Sequence, residues 1–353
     1  MCFRLHRGLV CSTMLALGLF AHSASAERPT LHEAGSTLLY PLFQLWVADY
    51  AARHSGMIIT SKASGSGDGI SEAISGSAQI GTSDAYMSDE QAEQNPKIMN
   101  IPLAISAQTI NFNAPPLNST DLKLDGPTLA GIFAGTITTW DAKPIAATNP
   151  GTNLPHRRIV PIRRSDASGD TFVFTQFLGF STQTWEDDVG YGTSVEWPAV
   201  DGEKTATGND GMVQALAATP YSIGYVGVSF HDAIAKAGLG TAMVKNQAGQ
   251  FLVPTAETVS AAASELDPRT PADERLSLAF APGAHSYPLI NYEYAVVSTD
   301  QPNPATADSV RRFLLWAVST EGGNAPKYLD AVRFIPLPDF IRALSENQIS
   351  RIH

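Results

Sequence analysis

Four short stretches of the chain place small polar residues where a strand gives way to a helix. They are Gly35-Ser36-Thr37-Leu38, Ser64-Gly65-Ser66-Gly67-Asp68-Gly69, Gly81-Thr82-Ser83-Asp84, and the opening of RRSDASGDTF at 163–172. A helix N-terminus leaves several N–H groups without intrahelical partners and carries partial positive charge, so it holds oxyanions without a full cation. Singly, such serines and threonines read as helix caps and such Gly-Ser-Gly runs as turns. Four converging ends could cage a tetrahedral anion. Arg164 would add one formal charge and a planar donor fork suited to an oxyanion, with Asp166 pairing to orient it. Arg163 reads as a surface arginine. Asp170 stands where the anion should sit, yet it is equally well read as a first-turn carboxylate favouring the dipole of a helix over 171–178.

Signatures of catalysis are scarce. The stretch at 65–69 is G-x-G-x-G, one position short of a dinucleotide fingerprint, and a P-loop lysine is missing. There is no G-x-S-x-G elbow. Beyond residue 26 the histidines (His32, His54, His156, His231, His285, His353) show no metal-ligand spacing. No nucleophile stands beside an evident base, and neither a cofactor nor a metal is expected.

The elements that must position these residues alternate strand and helix. Thr30 to Ala34 reads as a strand, and Gly35-Ser36-Thr37 then opens a helix with Leu39, Phe43, Trp46, Val47 and Tyr50 at helical spacing. Met57 to Ser61 is a strand, Ser64 to Gly69 a turn, Ile70 to Ile74 a helix, and Ala78 to Thr82 a strand that delivers Ser83 and Asp84. This repetition predicts an α/β fold with mainly parallel sheets and a ligand outside the carboxyl ends of the strands. Internal repeats, heptads and low-complexity tracts are lacking.

Residues 1–26 carry Arg4 and Arg7, an apolar run from Leu9 to Ala21 and a small-residue Ala24-Ser25-Ala26, which read as a secretory signal cleaved before Glu27. The run is shorter than the about 20 residues a membrane span needs, and Gly8-Leu9-Val10-Cys11 makes a poor lipobox. Both cysteines, Cys2 and Cys11, leave with this segment, so the exported chain would have neither disulfides nor thiolate chemistry. Removing 26 of 353 residues leaves 327, more than one hydrophobic core usually serves, and two lobes are expected. Loss of the two arginines takes the formal net charge from −11 to −13, which argues against nucleic acid or an anionic membrane as partner. Attraction for an anion must then be local and desolvated.

In order and spacing, EAGSTLLYPLF, ASGSGDGI, IGTSDAYMSD, RRSDASGDTFVFTQFL, GNDGMV, YSIGYVG and YPLINYEYAVV resemble segments of the periplasmic phosphate-binding proteins of high-affinity phosphate ABC transporters. The resemblance runs from Glu33 to Pro338. It implies a two-lobed periplasmic binding protein, type II-like, whose chain crosses between lobes near Ile105–Asn111 and Tyr287–Tyr292. One lobe would combine 27–105 with 291–353, and the other would span 106–290. It further implies a monomeric receptor in the periplasm that binds inorganic phosphate and passes it to the permease and ATPase subunits of a transporter. Residue by residue, Ser36, Thr37 and the N–H of Leu38 match the first contact segment, and Ser66 the serine of the glycine-rich turn. Asp84 matches the aspartate that accepts a proton from phosphate. Arg164, held by Asp166, matches the single arginine, and Ser168 and Gly169 match helix-start contacts. Leu38 replaces a common Phe. Asp170 replaces a Thr of some members, whereas others resemble this chain in reading Ser-Gly-Asp-Thr-Phe.

A carboxylate in such a site has a physical use. Phosphate near neutral pH keeps at least one proton and offers a donor, whereas sulfate offers acceptors only. Sites built around a substrate donor reject analogues lacking it by about 10⁴–10⁵, so the aspartate opposes affinity and adds specificity. A sulfate or molybdate receptor is disfavoured on this ground. The main alternative is a secreted phosphatase or phosphate-binding surface protein on the same scaffold.

Overall fold

The computed structural model describes residues 1–2, 30–54, 57–115, 117–119 and 121–353. The leader expected over 1–26 lies, apart from its first two residues, outside the described residues. Among those described, the strands are β1 (Thr30–Gly35), β2 (Ile58–Ala63), β3 (Ile80–Ser83), β4 (Ile98–Asn113), β5 (Lys123–Leu124), β6 (Val160–Arg164), β7 (Lys204–Ala206) and β8 (Ser222–Gly227). Four more follow: β9 (Gly240–Thr241), β10 (Met243–Lys245), β11 (Phe251–Leu252) and β12 (Ile290–Ser298). They form one large sheet in the order β2-β1-β3-β12-β4-β8-β6-β7, with β9 also on β4, and a small sheet β11-β10-β5. Helices cover the sheets, giving the expected α/β class.

The long strand β4 organises the molecule. At roughly 3.3 Å per residue it is far longer than an ordinary strand, and its interior is wholly buried. Residues Ile98 to Ala107 pair with β12, and Gln108 to Asn113 pair with β8, so the strand changes partner between Ala107 and Gln108. A bulge in the β12 pairing falls where Glu293 faces Ala104 and Tyr294 faces Pro102. Proline has no N–H to give the ladder, and a bulge next to it absorbs the mismatch.

The sheet is mixed, not mainly parallel. β1 runs parallel to β2 and β3, and β6 parallel to β7 and β8, as strand-helix repetition requires. β12 is antiparallel to both β3 and β4, and β4 is antiparallel to β8. The two strands that join the halves of the sheet introduce this antiparallel pairing, which local periodicity does not reveal.

Helix boundaries shift in an informative way. The first helix is Tyr40–Arg53, because Thr37 to Leu39 form a turn and Pro41 suits the first helical turn. Phe43 and Tyr50 of this helix pack on Phe313 of the helix Pro304–Val318 at 5.3 and 5.1 Å between ring centroids. The second helix, Ser66–Ser75, begins inside the glycine stretch and ends at left-handed Gly76. The helix expected over 171–178 is longer, Gly169–Ser181, and is capped by Ser168, whose Oγ accepts from Thr171 N at 3.3 Å. Gly81–Asp84 does not open a helix. A turn follows β3, and the next helix, Asp89–Gln94, starts at its own capping box on Ser88 and Gln91.

Candidate functional site

Arg164 ends β6 and is buried. Its Nε donates to Asp166 Oδ1 at 2.8 Å and its Nη2 to Asp166 Oδ2, a two-point clasp that sets the plane of the guanidinium. Asp166 Oδ1 also accepts from Gly208 N at 3.1 Å. Nη1 donates to Asp170 Oδ2 at 2.6 Å, and Nη2 reaches Thr37 Oγ1 at 3.3 Å. Arg163 turns to the other side of the strand, as alternation demands. There it pairs with Glu203 and lies over the Trp197 ring, 5.6 Å from its centroid.

Opposite this arginine stands a second cluster, built on the ends of β1 and β3. Ser36 Oγ accepts from Leu39 N at 2.9 Å and donates to Asp84 Oδ1. Ser66 Oγ donates to Asp84 Oδ2 at 3.3 Å and accepts from Asp84 N at 3.1 Å. Gly35 makes the approach possible: it sits at φ 144°, and a Cβ there would come 1.9 Å from Thr82 O. Gly169 joins the clusters, since a Cβ on it would meet Asp84 Oδ2 and Ser66 Oγ at 2.5 Å. Leu38 packs its side chain on Gly227, and its carbonyl accepts from Ser229 Oγ at 2.8 Å. The residues matched from sequence as ligand contacts are thus in or beside one buried locality, including Ser168 at the helix start, while Arg163 lies outside it.

Burial sets the charges. Asp170 is pushed up to about 7 by desolvation and by the nearby Asp84 charge, which outweigh Arg164 and Asn209. Asp84 is also raised by burial, against the pull of Glu293, Ser36, Arg164 and Ser66. For Asp166 burial acts upward, but the Arg164 hydrogen bond and charge hold it below the ordinary carboxylate value. Burial disfavours the Arg164 cation, yet Asp166 and Asp170 more than offset this and raise its pKa, so it stays charged.

Three residues escaped the sequence reading. Asn209, at the start of the helix Gly208–Ala218, donates through Nδ2 to Thr37 Oγ1 at 2.9 Å and Asp170 Oδ2 at 2.6 Å, while its Oδ1 accepts from Gly227 N at 2.8 Å. Gln108 Nε2 donates to Asp170 O at 2.9 Å and Oδ1 at 3.1 Å. Glu293 lies beside Asp84. Glu293 had a usable signal, a charged residue in the middle of a buried strand, whereas Gln108 stands among other polar residues of β4 and had none. Asn209 had none, because a polar residue at a helix start reads as a cap.

The profile of the PBP superfamily domain matches residues 21–321. The phosphate-binding protein PstS of Pasteurella multocida is 32% identical over 326 residues, covering 92% of this chain and 91% of that one. Its counterpart in Haemophilus influenzae is 33% identical over 313 residues, with 89% and 90% covered. The chain belongs to the PstS phosphate-binding protein family. Its fold is that of solved phosphate-binding proteins. A high-affinity periplasmic phosphate-binding protein (PfluDING) bound with phosphate superposes with a TM-score of 0.67 at 23% identity, covering 89% of this chain and 92% of the other. A phosphate ABC transporter substrate-binding protein with bound phosphate from Clostridium perfringens gives 0.63 at 17%, with 88% and 100% covered. As a PstS-family protein this chain is a substrate-binding transport protein by kinship. Among its described residues no helix is long and apolar enough to cross a membrane.

Proposed function

We propose that the chain is an exported receptor that closes two lobes around one inorganic phosphate and delivers it to the permease and ATPase subunits of an ABC transporter. The observation that carries this reading is the convergence on one buried locality of Arg164, clasped by Asp166, with Thr37, Asp170 and the Ser36–Asp84–Ser66 cluster. A cation, hydroxyls and carboxylates there match a ligand that is an anion and also a hydrogen-bond donor. The names of the relatives support the same ligand. The ligand contacts would be Ser36, Thr37, Leu38, Ser66, Asp84, Arg164, Ser168, Gly169 and Asp170.

We place the lobes at 27–105 with 291–353, and at 106–290. The change of β4 partner between Ala107 and Gln108 supports this, as does Gln108 N donating to Leu289 O at 2.9 Å where the second crossing lies. Within 106–290, the segment from Asp267 to Leu276 leans back on the first lobe. Tyr292 Oη donates to Asp267 Oδ1 at 2.5 Å, and Glu274 accepts from Ser345 and Gln348 of the C-terminal helix. Across the proposed cleft Gly67 N donates to Ala167 O at 2.9 Å, and Thr37 receives Arg164 and Asn209.

Calorimetry of the secreted chain with phosphate, sulfate and a phosphomonoester tests the function. Stoichiometric binding of phosphate, no heat with sulfate and no release of product from the ester are expected. Turnover of the ester would replace the receptor by the phosphatase alternative.

A further inference from the structure

Glu293 lies in the middle of β12 and is fully buried. The antiparallel register pairs Tyr294 with Ser83, so the next step along both strands sets Glu293 opposite Asp84. From β4, on its other flank, Ser106 Oγ donates to Glu293 Oε1 at 2.5 Å, and from β12 itself Asn291 Nδ2 donates to the same oxygen at 3.0 Å. Glu293 Oε2 receives no donor among the described residues, and its carboxyl meets that of Asp84. Two buried carboxyl groups in contact cannot both ionise, and together they hold one proton.

The neighbours decide where that proton rests. Asp84 receives Ser36 Oγ and Ser66 Oγ and feels the Arg164 cation, all of which favour its charged form. Glu293 has two neutral donors and, among the described residues, no cation paired with it, while burial and the Asp84 charge both act against its ionisation. Burial and the Asp84 charge hold the carboxyl of Asp170, across the proposed cleft, toward its neutral form. We propose that Glu293 is held as the neutral acid and donates its proton to Asp84, acting as the positioning residue that leaves Asp84 charged and with one lone pair for the ligand's proton. This rests on the phosphate reading above. An ionised carboxylate offers about four acceptor sites. Ser36, Ser66 and Glu293 occupy three, and the fourth accepts one hydroxyl from a bound oxyanion. Phosphate supplies that hydroxyl and sulfate does not, so Glu293 sets the selectivity without touching the ligand.

Two variants and one spectrum test the assignment. Glu293→Met fills the space but has no donor. Asp84 should then take up the proton itself as pH falls, and the preference for phosphate over sulfate should drop at least tenfold between pH 8 and pH 6. Glu293→Gln can still accept from Ser106 and Asn291 and donate through its amide, and should recover the preference and its flat pH profile. The infrared spectrum of wild type minus Glu293→Gln at neutral pH should show the C=O stretch of one protonated carboxyl, free of contributions from other buried acids. The proposal is overturned if that band is missing, or if Glu293→Gln discriminates no better than Glu293→Met. A wild type that binds no phosphate would sink the function reading alone, because the infrared band reports the proton of the Asp84–Glu293 pair without any ligand.

Discussion

Arg164 and Asp170 form an ion pair almost wholly out of water, with Nη1 2.6 Å from Oδ2 and side-chain exposures of 1% and 0%. Asp170 is also the first-turn carboxylate of the helix Gly169–Ser181. The two readings left open by sequence are therefore compatible, because the helix start points its acid at the arginine.

Asp170 should make both stability and binding depend on pH. Its folded-state value, about 7, lies above the ordinary 3.8, so the native protein keeps a proton that the unfolded chain has released. Its contribution to stability is fully present below the unfolded value and lost as pH rises through about 7. Asp170→Thr should flatten thermal midpoint against pH over that window. Glu33 and Glu274, also raised to about 7 by burial, will keep part of the slope. Phosphate affinity of the wild type should fall as the dibasic ion takes over and Asp170 ionises, and Asp170→Thr should weaken that fall. Superimposable wild-type and variant binding profiles would return Asp170 to a helix-dipole role.

Arg164→Ala should lower phosphate affinity at least tenfold, since charge-assisted hydrogen bonds contribute roughly 1.5–3 kcal/mol each. It also strands the buried Asp170, and breaking one side of a buried pair costs about 3–5 kcal/mol unless the acid protonates. Arg164→Ala/Asp170→Thr should therefore recover stability but not affinity. A denaturant titration and calorimetry on both variants separate the effects. Wild-type affinity in Arg164→Ala would shift the role to Arg163, which Glu203 and Trp197 already occupy.

Asp84→Asn exchanges one acceptor oxygen for an amide donor at nearly constant shape. Sulfate should gain affinity relative to phosphate by at least tenfold in a competition titration. Unchanged exclusion of sulfate would refute the role of Asp84 as acceptor of the ligand's proton.

Gly169→Ala puts a methyl group 2.5 Å from Asp84 Oδ2 and Ser66 Oγ. The two sides must separate by several tenths of an ångström, so phosphate affinity should fall about tenfold or more. The glycine has no left-handed φ, and the thermal midpoint without ligand should change little. Scattering with saturating phosphate should report a less compact particle than wild type, and an equally compact one would argue against closure at this contact.

Export should leave Glu27 as the first residue. Intact mass and fractionation of the expressed protein check this: a soluble periplasmic product starting at Glu27 is expected, and retention of 1–26 in the membrane fraction would contradict it.

Much of the site was legible in the chain because its parts are local. Arg164 and Asp166 are two residues apart, a distance at which an arginine can fold onto its own partner. Ser168 caps the helix that follows it, and Gly35 and Gly65 occupy backbone conformations that side chains rarely adopt. These features follow from turn and cap chemistry over a few residues, so composition and spacing suffice to find them. The antiparallel joining strands, the turn after β3 and the residues that complete the site are of another kind. Asn209 reaches Thr37 across 172 positions, and Asn291 reaches Asp84 across 207. Such contacts depend on which strands neighbour each other and in what register. That register is selected by burial of the whole sheet, not by any short segment, so only the tertiary structure could put Glu293 opposite Asp84.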